Sequence, residues 1–338
     1  MRKKFSRRVF LKAGFWAAGL GIGGHLLARH ALGPSYPKRI PLVRRVYADK
    51  RASFDFFFGT HEKPGDAAWI EAQIEKAEKG GKPYNVIVIE NSAVIKGKRK
   101  EYEDLYNKTA IPFLKKTYSG LGQARKENEM ARKTLKALEE GNWIKKLEAL
   151  KGSREARQYL NAIANTEKII EEREGQIRQN ENAIKEYRES GFIEALVDLA
   201  ARQNLYVKFA EEHAPEEMRK RKGLEETAKK HFEEYAAKKD PNQFRLSIKA
   251  EAEALFQRDK TIAKTIEQAK REISGMPEFK GKKIRALVSL GAAHQNAARN
   301  FDRLSRSSVK AFKNIEVDPY YQEVIRLSRK GPRAIKRY

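Results

Sequence analysis

Two short apolar blocks near the start of the chain, Phe54–Phe58 and Asn85–Glu90, have one counterpart far away at Ile284–Leu290, with no similar block between. This gap constrains the fold more than any other feature. Runs of aromatic and β-branched residues bounded by turn residues read as strands, and their near-continuous apolar character suits a sheet covered on both faces. Between the first two, a helix is predicted from Asp66 to about Glu78, with Ile70, Ile74 and Ala77 on one face. Strand, helix, strand in that order implies a parallel pair. The expected fold is α/β: a small mainly parallel sheet core interrupted by a large, mostly helical insertion.

The insertion carries its own pattern. Leu114, Leu121 and Leu135 fall at seven-residue spacing with Asn128 between them, and Ile163, Ile170, Ile177 and Ile184 repeat at seven. Such spacing predicts an antiparallel coiled-coil hairpin turning near Gly152. Its seam is thin, because Thr166, Arg173 and Asn180 are polar. Three further helices are expected: Phe192 to Glu212, one opening at Pro215, and one opening at Asp240-Pro241 with Asp as N-cap and Pro in the first turn. After Ile284–Leu290 come a helix holding Ala297, Ala298 and Phe301, a short strand within Val309–Val317, and a basic tail from Arg326 that is expected to fray. The resulting division is 1–31 signal or anchor, 32–51 linker, 52–93 first half of the core, 94–282 insertion, 283–325 second half of the core and 326–338 tail.

The formal net charge is +26, and residues 1–48 contribute eleven basic and no acidic side chains, so 26 less 11 leaves +15 for the rest. The charge is spread along the chain and interleaved with acids, with no specific nucleic-acid motif. A surface of this kind favours an anionic partner such as a membrane or wall polymer. There are no cysteines, which removes disulfides, thiol catalysis and sulfur-ligated metals. Any metal falls to histidine and carboxylate. There is also no P-loop, no GxGxxG after a strand, no HExxH and no GxSxG.

Ser6-Arg7-Arg8-Val9-Phe10-Leu11-Lys12 resembles the twin-arginine (Tat) signal, with Ser6, Arg7, Arg8, Phe10, Leu11 and Lys12 at the characteristic positions, and a mildly apolar run from Ala13 to Ala28 follows. The run is shorter than the roughly 20 residues of a spanning helix. The resemblance implies export as a folded protein, the Tat translocase as a partner, and a periplasmic, extracellular or outward-facing anchored location. A retained N-terminal anchor with positive charges inside is the competing reading.

Three strands of the core end in residues able to do chemistry: Gly59-Thr60-His61-Glu62, Glu90, and Gly291-Ala292-Ala293-His294. Ligands of open parallel sheets gather at the carboxyl ends of the strands. Two histidines and one or two carboxylates there would suit a divalent metal (Mn, Co or Zn) that lowers the pKa of a bound water. FFFGTHE, then D-x-x-W-I-x-x-x-I, VIVIE and LVSLGAAH resemble the stations of the TIKI/TraB superfamily, with its erythromycin-esterase-like and ChaN-like branches. The resemblance covers roughly 50 residues at one end and 20 at the other. It implies a metal-dependent hydrolase of peptide or ester bonds, with a haem link in the ChaN-like branch. His61, Glu90 and His294 would be metal ligands, Glu62 and Glu90 catalytic, and Glu62 a candidate general base. The first station departs from the family's GxxH, having one residue between Gly59 and His61 where the second has two. Read without the family, Glu90 could cap a helix and His294 could bond to backbone, while His213 and His231 read as solvated surface residues. The alternative function is an exported, non-enzymatic helical binding or scaffold protein at an anionic surface.

Overall fold

The structure is a computed structural model that describes residues 51–61, 65–305, 307–313 and 317–338, together with the backbone of a two-residue strand at 44–45. The twin-arginine motif and Glu62 lie outside the described residues.

Six strands form one sheet: β1 (Arg44–Arg45), β2 (Ala52–Gly59), β3 (Val86–Ile89), β4 (Tyr206–Phe209), β5 (Ile284–Gly291) and β6 (Ser308–Lys313), in the order β1-β6-β2-β5-β3-β4. All pairings are parallel except that of β1 with β6. The helices are α1 (Gly65–Lys79), α2 (Arg99–Leu105), α3 (Ile111–Glu140), α4 (Trp143–Ala149), α5 (Arg154–Ser190), α6 (Phe192–Gln203), α7 (Pro215–Lys238), α8 (Pro241–Gly275), α9 (Gln295–Ser305), α10 (Pro319–Lys330) and α11 (Pro332–Arg337). The α/β core with its large helical insertion is therefore as expected.

Strand periodicity sorts the core into two layers. Phe54, Phe56 and Phe58 of β2, with Val86, Val88, Ala286, Val288 and Leu290, pack on one face against Ile262, Ile266 and Ile273 of α8 and Phe301 of α9. Their alternates Phe57, Ile87, Ile89 and Leu287 meet α1 and α6 on the other face through Ile70, Ile74, Leu196 and Leu199. Burying both faces is why the strands read as continuous apolar runs.

The first two expected strands are parallel but not adjacent, because β5 pairs with both and lies between them. A larger correction concerns Tyr206–Phe209. The expected helix from Phe192 to Glu212 ends at Gln203, where Asn204 turns left-handed (φ 56°), and the chain re-enters the sheet as β4. Four residues with Lys208 among them carry too weak a pattern to stand out. That lysine is nevertheless buried, bonded to Glu103 and Glu272 at 2.6 Å each, while Arg99 reaches the same two acids. As an edge strand β4 also needs cover. Asn107, in a π-helical turn (Tyr106–Ala110) between α2 and α3, supplies it by bonding both the N–H and the C=O of Val207, at 2.9 and 2.8 Å.

The predicted hairpin is α3 and α5, with α4 in its turn, and it is antiparallel. Arg125 meets Glu181 and Arg132 meets Glu174 along its flank. Leu121, Asn128, Ile170 and Ile184 are buried along the hairpin, and Leu114 is buried in the core beneath the sheet. Asp240 caps α8, accepting from Asn242 N at 2.9 Å, with Pro241 in the first turn. The tail does not fray as expected. Tyr320, Val324, Leu327 and Ile335 pack α10 and α11 against Ile248 and Leu255 of α8.

Candidate active site

The sheet register brings the two glycine–histidine stations together. Gly59 and Gly291 are paired at the carboxyl ends of β2 and β5, so the segments leading to His61 and His294 leave the sheet side by side. Ile89 pairs with Ser289 and Phe209, so Glu90 and then Glu211 emerge next along the same edge.

His61 is held in the left-handed region (φ 59°), a conformation that costs a non-glycine residue energy and clusters at functional sites. Its N–H donates to Asp66 Oδ2 at 2.7 Å, and the Thr60 hydroxyl donates to the same oxygen at 3.2 Å. A Cβ on Gly59 would lie 2.3 Å from that oxygen, so only glycine lets Asp66, at the start of α1, reach the strand end. The His61 ring stacks on Phe192 with centroids 4.6 Å apart. Its Nε2 has no hydrogen-bond partner and faces Glu90 Oε2 at 3.8 Å.

Glu90 is the centre of the cluster. Its Oε2 accepts from Gly291 N at 2.5 Å and its Oε1 from Arg258 Nη2 at 2.5 Å, while His294 Nε2 stands 3.6 Å from Oε1. Burial opposes its charge, but Arg258, then His294 and His61, outweigh this and hold the carboxyl below its ordinary value. His294, in the 3-10 turn Ala292–His294, bonds Asp259 Oδ1 through Nδ1 at 2.7 Å, which orients Nε2 toward Glu90. Burial disfavours the imidazolium. Glu90 and Asp259 overcome this, and the His294 pKa rises above its ordinary value. Asp259 itself is pushed up by burial.

Arg258 joins two carboxylates. It grips Glu211 with Nε at 2.9 Å and Nη2 at 2.7 Å, the bidentate arrangement that suits guanidinium, and reaches Glu90 with the same Nη2. Glu211 is fully buried, and despite that burial Arg258 and His213 hold it well below the usual carboxylate range. His213 Nε2 lies 2.7 Å from Glu211 and 3.1 Å from Arg221 Nη1. Glu251, on α8, faces Glu225, His294 and Arg258; burial, then the charge of Glu225, pushes it up to about 7.

The three predicted residues His61, Glu90 and His294 thus share one cluster. Two of the competing local readings fail: Glu90 does not cap a helix, and His294 bonds a side chain. His213 is not a surface residue, because β4 delivers it to the sheet edge, where it is 3% exposed. His231 bonds Gln243 and takes no part in these contacts. Sequence reasoning missed Arg258, Asp259, Glu211 and Glu251. One signal for them existed: Asp259 falls on the apolar stripe Leu255, Ile262, Ile266 of α8, where a carboxylate needs a buried partner.

Two imidazoles and a carboxylate are chemically suited to a divalent metal, and His61 Nε2 is an orphaned donor. Yet among the described residues no three His, Asp or Glu side chains are arranged to hold a metal ion. Each Glu90 oxygen is already bonded, one of them to a fixed cation. The described residues do not fit a metal centre as they stand. Among the described residues, no helix is long and apolar enough to cross a membrane. The chain matches no protein-family model, no curated protein and no solved structure.

Proposed function

We propose that this chain is an exported hydrolase that cleaves a peptide or ester bond at the His61–Glu90–His294 cluster. The observation that carries the reading is the meeting of these residues, far apart in sequence, around one buried carboxylate at the carboxyl edge of the parallel sheet. His61, with its unpaired Nε2, takes the proton of the attacking water. Glu90, kept anionic by Arg258, stabilises the imidazolium that forms. His294, whose protonated form the site favours, offers positive charge to the developing oxyanion. The proton on His61 then passes to the leaving group.

A metal-dependent form of this reading, with Glu62 as general base, would require Glu90 to give up its bonds to Arg258 and Gly291 N in favour of the metal. A bound Mn²⁺, Co²⁺ or Zn²⁺ would supply a more acidic water. The test is hydrolysis of a panel of esters and peptides by the full chain, with and without each metal, beside calorimetric titration of the metal into the parent, His61→Ala and His294→Ala. Hydrolysis lost in both variants supports the cluster, and stoichiometric metal binding lost with it supports the metal form. A parent that hydrolyses nothing under any condition contradicts the reading.

Export rests on the resemblance of Ser6–Lys12 to the twin-arginine signal. A folded reporter carrying residues 1–48 should leave the cytoplasm, and Arg7→Lys with Arg8→Lys should retain it. A second reading, a non-enzymatic binding protein at an anionic membrane or wall polymer, is favoured by the hairpin end. There Trp143, Leu150 and Tyr159 are each more than half exposed beside Lys146, whose Nζ lies 4.6 Å from the Trp143 ring centroid. It predicts surface binding that needs Trp143 and is indifferent to Glu90.

A further inference from the structure

We propose that the cleft between α10 and α11 is a binding site for a phosphate-bearing anion. The cleft has a volume of about 430 Å³ and is lined by Arg326, Lys330, Arg333, Arg337 and Tyr338 over a floor that includes Leu327. No acidic side chain lines it, and residues 324–338 contain no Asp or Glu. Its size lies within the range of small-molecule sites.

The cations of this cleft are gathered on one concave surface, and several surface cations elsewhere are matched by a neighbouring acid. Lys98, Lys108, Lys133 and Lys229 each pair with an acid one helical turn away. Among the described residues no carboxylate lies within 4.0 Å of Lys330, Arg333 or Arg337. Glu323 is engaged by Arg326, whose Nε bonds Oε2 at 2.5 Å, and by the Tyr338 hydroxyl, and its charge also acts on Lys330. Favourable charge at helix C-termini accounts for Lys330 and Arg337, which lie in the last turns of α10 and α11, and Glu323 accounts for Arg326, but neither accounts for Arg333.

The cleft is also held in shape. Ile335 is buried, Arg245 donates to Tyr338 O at 2.6 Å, and Lys249 donates to Lys336 O at 3.1 Å, so α11 is fastened to α8. Gly331 makes the turn between the two helices at φ 83°. Guanidinium groups around a concave surface recognise phosphate oxygens by paired N–H donors. The phosphate is that of a soluble ligand or of a lipid headgroup.

The test is titration of inorganic pyrophosphate into the full chain by calorimetry, alongside flotation with phosphatidylglycerol and phosphatidylcholine vesicles. Two double variants are compared. Arg333→Ala with Arg337→Ala removes cleft cations; Arg329→Ala with Lys336→Ala removes the same charge from the same helices outside the cleft. Saturable binding weakened about tenfold by the first pair and less than about twofold by the second supports the site. If phosphatidylglycerol vesicles bind with the same dependence, the source is a lipid headgroup. If pyrophosphate alone binds, the ligand is soluble. No binding of either probe, or equal weakening by both pairs, overturns the proposal. Thermal melts of both pairs separate loss of binding from loss of fold.

Discussion

Arg258 Nη2 donates to Glu90 Oε1 at 2.5 Å across 168 positions of sequence, and the same nitrogen donates to Glu211 at 2.7 Å. Through this one guanidinium α8 is tied to the ends of β3 and β4, so the helix that covers the sheet also fixes the charge of the cluster. Arg258→Met would leave two buried carboxylates without their counter-charge. Breaking a buried ion pair in this way costs about 3–5 kcal/mol. Urea unfolding of Arg258→Met should show a loss of that size, partly recovered when Glu211→Gln is added. Additive effects of the two substitutions would mean that the pair is not coupled.

The pH dependence of stability has opposite signs on its two sides. Glu90 and Glu211 have lowered values in the folded chain, so their contribution is present above the ordinary 4.5 and is lost as the pH falls through the folded values. His294 is raised. Its contribution is full below 6.5 and is lost as the pH rises through the folded value. Glu251, raised from 4.5 to about 7, likewise favours the protonated folded state and destabilises at higher pH. Glu251→Gln should therefore stabilise the protein more at pH 8.5 than at pH 4.5, by about 3 kcal/mol at the 1.36 kcal/mol that each pH unit represents. Equal effects at the two pH values would show that Glu251 is not a buried acid.

The parts of the fold legible in the sequence are those where one pattern governs many residues. The aromatic run of β2, the isoleucine heptads of α5 and the Asp240-Pro241 cap each state their element locally, and each is found. Glu90 and His294 were legible because they follow apolar strands directly. What stayed hidden depends on partners distant in sequence. β4 has four residues and a lysine whose burial makes sense only once Glu103 and Glu272 surround it. Arg258 looks like one more cation on a charged helix until the strand ends are assembled beside it. The ordering of the tail likewise comes from its docking on α8.

Asn128 interrupts the leucine spacing of α3 and is 5% exposed, donating to Ile170 O at 3.3 Å while its Oδ1 has no partner. A buried polar group of this kind sets the register of paired helices at a cost in stability. Asn128→Leu should raise the unfolding free energy by about 1 kcal/mol and should let a separately made hairpin peptide associate in more than one register. Lower stability on substitution would show that the asparagine is a net stabilising contact.

The central claim is that Glu90 organises a hydrolytic centre, and Glu90→Gln tests it with nearly unchanged shape. On whichever ester or peptide the parent cleaves best, kcat/KM should fall by about a hundredfold or more, the scale of losing a charged partner of a general base. A folded Glu90→Gln protein that keeps the parent's kcat/KM would contradict the account.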